Sequence, residues 1–257
     1  SEMCIRDRSM NIPAVVGLGN VSELIKPDDI VLVDGFEGRV VVNPSKATLY
    51  RYGKIKDEHA SITKRLIALS QNVSQTKDGH PIQLMANIES EHEAKRAIEI
   101  GADGIGLFRT EYLFLNSKVL PTEDQQYEAY KNTVETMNGL PVVIRTFDLG
   151  GDKISNIPEL GRKGESNPFL GYRAIRYCLD NIEFFATQLR AILRASAHGD
   201  IRILYPMISG APELEQANEY LEIAKDQLRG EGIPFNENLS AGSMIEIPSA
   251  ATACDTL

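Results

Sequence analysis

The chain has 257 residues, of which 42% are hydrophobic and 25% charged, proportions typical of a globular protein that can bury a core. Its 27 Lys and Arg residues against 36 Asp and Glu residues give a formal net charge of −9, which argues against general binding to nucleic acid or to an anionic membrane surface. Three widely spaced cysteines predict neither a disulfide framework nor a zinc site and favour a cytoplasmic setting, and no apolar run is long enough to span a membrane.

The first part of the chain is predicted to be the end of a small β-rich domain. Residues 1–8 fit nothing that follows and are interpreted as an unmatched leader. Two Val-rich strands are predicted at residues 29–34 and 39–43, joined by a glycine-bounded turn. Too few residues precede Pro44 to form an independent core, so residues 9–46 are predicted to be the C-terminal part of a domain.

A polar and charged stretch follows at residues 47–80. Its apolar residues recur at loose helical spacing, which predicts a helical linker between two domains. One later helix is predicted from a capping box at residues 90–93, and residues 121–125 are predicted to cap another that runs to about Met137. Pro212 and Pro248 are predicted to open two further helices, and a long glycine-rich loop is predicted up to about residue 171.

From residue 81 onward the predicted strands and helices alternate. The strands are expected at residues 82–88, 103–108, 142–145, 201–207 and 242–247. Alternation of this kind is typical of parallel strands joined by crossover helices. About five βα units are too few for a closed (β/α)₈ barrel, so residues 81–257 predict a truncated TIM barrel. A doubly wound open sheet is the alternative, but no G-x-G-x-x-G loop follows the first strand.

Arginines follow two neighbouring strands of this alternation. One strand ends in Arg109-Thr-Glu111 and the next in Arg145-Thr-Phe-Asp148. In (β/α)₈ barrels the chemistry lies at these carboxyl ends, and the planar guanidinium matches the oxygens of a phosphate or a carboxylate. Arginines that converge there would repel each other unless an anion lay between them. The alternative for Arg109 is a surface ion pair with Glu111.

Glu246 lies within the apolar stretch at residues 244–247. A carboxylate buried there needs a cation or a hydrogen-bond partner, and Mg²⁺ is a natural candidate because it takes oxygen ligands. The alternative is a salt bridge to Lys153 or to an arginine. The four histidines fall in a linker, a turn, a helix cap and a helix end, and none is predicted to be catalytic.

Four motifs carry a family resemblance, namely GIGLFRTE at residues 104–111, IRTFDLGGDK at 144–153, NPFLGYR at 167–173 and MIEIP at 244–248. In this order they resemble the PEP-utilising enzyme family, and within it the enzyme I branch that serves the bacterial sugar phosphotransferase system. The resemblance runs over about residues 9–257. It implies a TIM barrel that binds phosphoenolpyruvate and magnesium, preceded by the end of a swivelling phosphohistidine domain.

The resemblance also implies roles for individual residues. Arg109 and Arg145 would clamp the phosphate and the carboxylate of phosphoenolpyruvate, Arg173 would line the same pocket, and Glu246 would be a magnesium ligand. The phosphoryl group would pass to a histidine of the swivelling domain and then to the carrier protein HPr during sugar uptake. A homodimer formed through the complete barrel is implied as well.

Other residues of the family pattern are not found in this sequence. The phosphoacceptor histidine of the family lies just before the equivalent of residue 9, and a second metal carboxylate, a later substrate arginine and a catalytic cysteine lie beyond residue 257. The expectation is therefore a fragment that is inactive by itself. The alternatives are a fragment of a pyruvate phosphate dikinase or phosphoenolpyruvate synthase, and a non-catalytic module that binds a partner through the unpaired edge of its last strand.

Overall fold

The computed structural model describes residues 12–70, 72–115, 119–150 and 171–257. The chain divides into two compact units, Ser1–Asn72 and Val73–Leu257. The predicted leader at residues 1–8 and most of the predicted glycine-rich loop lie outside the described residues, as do Lys153 and residues 167–170 of the third motif.

The first unit contains the predicted hairpin and the predicted long helix. Its elements are helix α1 (Val21–Leu24), strands β1 (Val31–Asp34) and β2 (Arg39–Val42), and helix α2 (Lys46–Ser70). The two strands are antiparallel. The Asp34 carboxylate closes the turn between them, because its Oδ1 accepts hydrogen bonds from the backbone N–H groups of Phe36 at 2.9 Å and Glu37 at 3.0 Å. None of the residues of α2 is buried.

The second unit is built on a parallel sheet. Its strands are β3 (Ala86–Ile88), β4 (Ile105–Arg109), β5 (Val142–Arg145), β6 (Ile201–Tyr205) and β7 (Ser240–Ser243). They lie side by side in sequence order, and every neighbouring pair is parallel. The predicted α/β class is therefore confirmed, and the strand order is that expected of the first part of a (β/α)₈ barrel.

The helices of the second unit connect these strands. They are α3 (His92–Glu99), α4 (Glu111–Leu115), α5 (Glu123–Met137), α6 (Ile175–Asp180), α7 (Ile182–Ala195), α8 (Ala211–Glu231) and α9 (Pro248–Thr252), with short 3₁₀ turns at Ser196–His198 and Cys254–Thr256. The short helices α4 and α6 were not predicted from the sequence. None of the helices that the structure describes is long and apolar enough to cross a membrane.

The cap predicted at residues 121–125 forms, and it is a complete capping box. At the start of α5, Thr122 Oγ1 accepts from the Gln125 N–H, and Gln125 Oε1 accepts in return from the Thr122 N–H at 2.9 Å. At α3, Glu93 Oε2 accepts from the backbone N–H groups of Glu89 and Ser90, but the helix begins only at His92. The box predicted there forms in part.

Two predicted strands differ from the observed ones. The first, expected at residues 82–88, is reduced to the three residues of β3. The last, expected at residues 242–247, begins earlier and ends at Ser243. Met244 still donates its N–H to the Tyr205 carbonyl at 2.8 Å, after which the Glu246 carboxylate turns to accept from the Met207 N–H. That contact replaces strand pairing at this end of β7.

The core lies between the sheet and the helices, chiefly α5 and α7. Phe108 of β4 packs edge-to-face on Tyr130 of α5, and both side chains are fully buried. Ile144 of β5 is buried on the same side of the sheet. Since side chains alternate along a strand, the residues that follow, Arg109 and Arg145, lie on the opposite face of the sheet.

Candidate anion-binding site

The predicted arginines are neighbours at the carboxyl edge of the sheet. Arg109 and Arg145 are register partners on the parallel strands β4 and β5, so they lie on one face of the sheet. Arg173 comes from much later in the chain. It reaches the same edge because it pairs with Gly150 in an isolated antiparallel bridge just after β5.

Arg109 pairs with an acid that the sequence did not indicate. Its Nη1 lies 3.1 Å from Oε1 of Glu89, which directly follows β3. The alternative of an ion pair between Arg109 and Glu111 is wrong, because Glu111 pairs with Arg145 instead. Glu89 could have been found from its position, since it stands at the end of a strand as the two arginines do.

Arg145 and Arg173 share a third acid, Asp148. Arg145 donates from Nη2 to Glu111 at 3.0 Å and from Nη1 to Asp148 Oδ2 at 2.9 Å. Arg173 donates from Nη2 at 2.7 Å and from Nε at 3.2 Å to Asp148 Oδ1. All of these side chains are largely buried, so solvent screens the pairs little.

The expected repulsion among the arginines is therefore compensated within the chain. Three guanidinium groups face three carboxylates, those of Glu89, Glu111 and Asp148. The inference that only a bound anion could hold the arginines together is wrong. Such an anion would have to accept hydrogen bonds from guanidinium N–H groups that these pairs leave unused.

The two neighbouring arginines, Arg109 and Arg145, each have such an unused N–H group. In the part of the chain that the structure describes, the buried side-chain nitrogen and oxygen atoms without a hydrogen-bond partner are Arg109 Nε, Arg145 Nε, Thr146 Oγ1 and the Tyr205 hydroxyl oxygen. All four lie at the carboxyl ends of β4, β5 and β6. A buried donor without a partner costs free energy, so two guanidinium N–H groups at one sheet edge are suited to a ligand that brings acceptors.

Burial at this site changes the acidity of Glu111. Burial raises the pKa of its carboxyl group above the usual value, and the negative charge of Asp148 adds to the rise, whereas the Arg145 guanidinium opposes it. The raised pKa shows that the ion pair with Arg145 only partly offsets the cost of removing this carboxylate from water.

Glu246 does not occupy the buried position that the sequence suggested. Its side chain is exposed after the end of β7, and Oε1 accepts from the Met207 N–H at 2.8 Å. The expected burial is therefore wrong, since the chain leaves the sheet before this residue. Among the described residues, no group of three or more His, Cys, Asp and Glu side chains is arranged to hold a metal ion.

Comparison with known proteins identifies related chains. The family described as "PEP-utilising enzyme, PEP-binding domain" matches residues 63–257, and "PEP-utilising enzyme, mobile domain" matches residues 1–38. Relatives named phosphoenolpyruvate-protein phosphotransferase from Bacillus sp. (strain S) and Geobacillus stearothermophilus are each 44% identical over 255 residues. One of the same name from Staphylococcus carnosus is 43% identical. Each alignment covers 99% of this chain but only 44% of the relative.

Proposed function

This chain belongs to the PEP-utilising enzyme family, and from that premise we propose that it is the phosphoenolpyruvate-binding part of a phosphoenolpyruvate–protein phosphotransferase. The complete protein would move the phosphoryl group of phosphoenolpyruvate to a histidine of its mobile domain and on to the carrier protein HPr. The names of the relatives support this choice over a dikinase or a synthase.

One observation carries the assignment of the binding site. Arg109 Nε and Arg145 Nε are buried, have no hydrogen-bond partner within the described part of the chain, and stand on adjacent strand ends. Phosphoenolpyruvate carries a phosphate and a carboxylate on the same carbon atom, and each group offers the planar pair of oxygens that a guanidinium recognises. We assign the clamp to Arg109 and Arg145, with Arg173 beside them across Asp148.

The chemistry asks little more of these side chains than position and charge. Phosphoryl transfer depends mainly on holding the group in line and on neutralising its negative charge. The carboxylates of Glu89, Glu111 and Asp148 hold the guanidinium groups in fixed orientations before any ligand arrives. Preorganised donors of this kind need little rearrangement when charge develops on the phosphate.

We assign magnesium to the end of β7. Mg²⁺ is commonly bound by one or two carboxylates together with the phosphate oxygens of a substrate. A single exposed carboxylate, that of Glu246, fits this mode of binding and does not fit a cage made of protein ligands alone. When bound, the ion would neutralise part of the phosphate charge.

The proposal extends to the organisation of the complete protein. Residues 9–46 would be the C-terminal part of the swivelling phosphohistidine domain, residues 47–80 the linker, and residues 81–257 the first part of the barrel. The mobile-domain match at residues 1–38 supports a part of that domain before α2, and the helical character of α2 supports a linker after it. The complete protein would act in the cytoplasm as a homodimer that meets HPr.

The binding assignment can be tested by calorimetric titration of the chain with phosphoenolpyruvate and Mg²⁺. Arg109→Lys and Arg145→Lys keep the positive charge but remove the Nε–H and the planar fork. Each should raise Kd by about 10- to 100-fold, since a hydrogen bond to a charged group contributes roughly 1.5–3 kcal/mol. The matched control is Arg202→Lys, because Arg202 lies at the other end of β6 in an exposed pair with Asp200.

Equal effects of all three substitutions, or no binding by the unchanged chain, would overturn the assignment of the site. The magnesium assignment is tested separately with Glu246→Gln. This substitution should abolish the dependence of Kd on Mg²⁺ concentration and should leave metal-free binding unchanged. A Kd that still falls with added Mg²⁺ would place the ion elsewhere.

A further inference from the structure

We propose that Gln188 is a positioning residue that ties the ends of β4 and β5 together and so fixes the spacing of Arg109 and Arg145. This role rests on the proposed function of the two arginines. Gln188 itself lies on α7, on the other side of the sheet from them, and its side chain is fully buried. It therefore acts through the backbone and touches no ligand.

With the residues that the structure describes, the amide of Gln188 makes three hydrogen bonds. Its Oε1 accepts from the Phe147 N–H at 2.9 Å, two residues after Arg145. Its Nε2 donates to Thr110 Oγ1 at 3.2 Å and to the Tyr130 hydroxyl at 3.3 Å. Because only the amide oxygen can accept from a backbone N–H, this network fixes which way the amide points.

Thr110 completes the connection between the two strands. Its hydroxyl accepts from Gln188 and donates to the backbone carbonyl of Arg145 at 3.0 Å. The residue after Arg109 is thus bonded directly to the backbone of Arg145, and Gln188 holds the chain on both sides of that bond. A buried network in which every member is satisfied permits few alternative arrangements, so it favours one spacing of the strand ends.

Gln126 provides a control within the same network. It is also buried, accepts from the Tyr130 hydroxyl at 3.2 Å and donates to the Pro121 carbonyl at 3.2 Å. Its hydrogen bonds are made within α5 and to Pro121, two residues before α5, whereas those of Gln188 reach the ends of β4 and β5. A purely structural contribution should therefore be similar for the two glutamines, and a positioning effect should belong to Gln188 alone.

The test compares Gln188→Met with Gln126→Met in the chain. The first measurement is the ¹⁵N–¹H correlation spectrum of the Nε–H groups of Arg109 and Arg145 without ligand. The second is the Kd for phosphoenolpyruvate with Mg²⁺. Gln188→Met should shift both resonances and raise Kd by about tenfold, because the hydrogen bonds from the two arginines to the ligand become misaligned. Gln126→Met should do neither, although both variants lose stability.

Thr110 supplies an independent pair of variants. Thr110→Val removes the hydroxyl and should reproduce the Gln188→Met spectrum, whereas Thr110→Ser keeps the hydroxyl and should retain the spectrum of the unchanged chain. This pair decides the matter if Gln188→Met does not fold. Unchanged arginine resonances in Gln188→Met, or equal shifts in both glutamine variants, would overturn the positioning role. Absence of phosphoenolpyruvate binding by the unchanged chain would overturn only the proposed function, since the resonances are compared without ligand.

Discussion

Replacement of Arg145 by methionine should destabilise the chain, because it leaves a buried carboxylate at the strand ends without its cation. Arg145 is only 11% exposed and pairs with two acids that are also shielded from water, Glu111 and Asp148. Methionine keeps most of the apolar volume but removes the positive charge. Asp148 retains Arg173, whereas Glu111 loses the one ion pair that it makes with the described residues.

The magnitude follows from this arrangement. Removal of one partner from a buried ion pair commonly costs 3–5 kcal/mol, so Arg145→Met should lower the free energy of unfolding by about 3 kcal/mol at pH 8. The loss should be smaller at pH 5. Glu111 has a pKa that burial already raises, and without Arg145 it can take up a proton and shed the charge that has become unpaired.

The assay is urea unfolding monitored by hydrogen–deuterium exchange of the β5 amides. This readout reports the stability of the sheet alone. The chain has no tryptophan, so intrinsic tryptophan fluorescence is not a probe. The matched control is Arg202→Met on β6. Arg202 and its partner Asp200 are 48% and 42% exposed, and breaking such a surface pair should cost about 1 kcal/mol or less.

A double variant tests whether the unpaired Glu111 carboxylate causes the loss of stability. If the cost of Arg145→Met comes from a buried unpaired carboxylate, adding Glu111→Gln should recover about 1–2 kcal/mol. A loss that is independent of pH, or one that Glu111→Gln leaves unchanged or increases, would show that the cost comes from lost packing.

Four further predictions concern stability and activity. Folding raises the pKa of Glu111, so the unfolded chain loses the proton of this carboxyl group at a lower pH than the folded chain does. The free energy of unfolding should therefore fall as pH rises above the usual pKa of 4.5. Glu111→Gln should remove that part of the pH dependence in urea titrations. Thr122→Ala removes the cap of α5 and should cost about 1 kcal/mol in the same assay. Glu123→Gln weakens its pairs with Arg190 and Arg194 at 2.7 and 2.6 Å, and should cost about 1 kcal/mol because each arginine keeps a second acid, Glu231 and Asp124 respectively. Finally, incubation of the chain with phosphoenolpyruvate, Mg²⁺ and HPr should yield no phosphorylated HPr, and robust transfer would refute the expectation that the chain is inactive alone.

Much of the fold could be predicted because local chemistry specifies it. The capping box at Thr122 starts α5 as expected, and β4 and β5 end where their apolar runs meet Arg109 and Arg145. The short helices α4 and α6 could not be predicted in this way. Five or six residues cannot form a stable helix by propensity, so these depend on burial of side chains such as Phe114 and Tyr177.

The sequence indicates the arginines of the candidate site but not which acid each of them pairs with. Arg109 pairs with a residue 20 positions earlier, and Arg145 with one 34 positions earlier. Such pairs depend on the register of neighbouring strands, which no local pattern contains. For the same reason the predicted burial of Glu246 is wrong. Its apolar neighbours suggest burial, but the end of β7 leaves its side chain exposed.

The bridging position of Asp148 has a consequence for how long a ligand stays. This carboxylate is tethered beside Arg145 and Arg173, so its local concentration remains high however dilute the ligand becomes. Because the carboxylate stays on these guanidinium groups, it would repel an anion bound at the N–H groups that remain unused. This resident negative charge would weaken retention of the anion and favour rapid exchange.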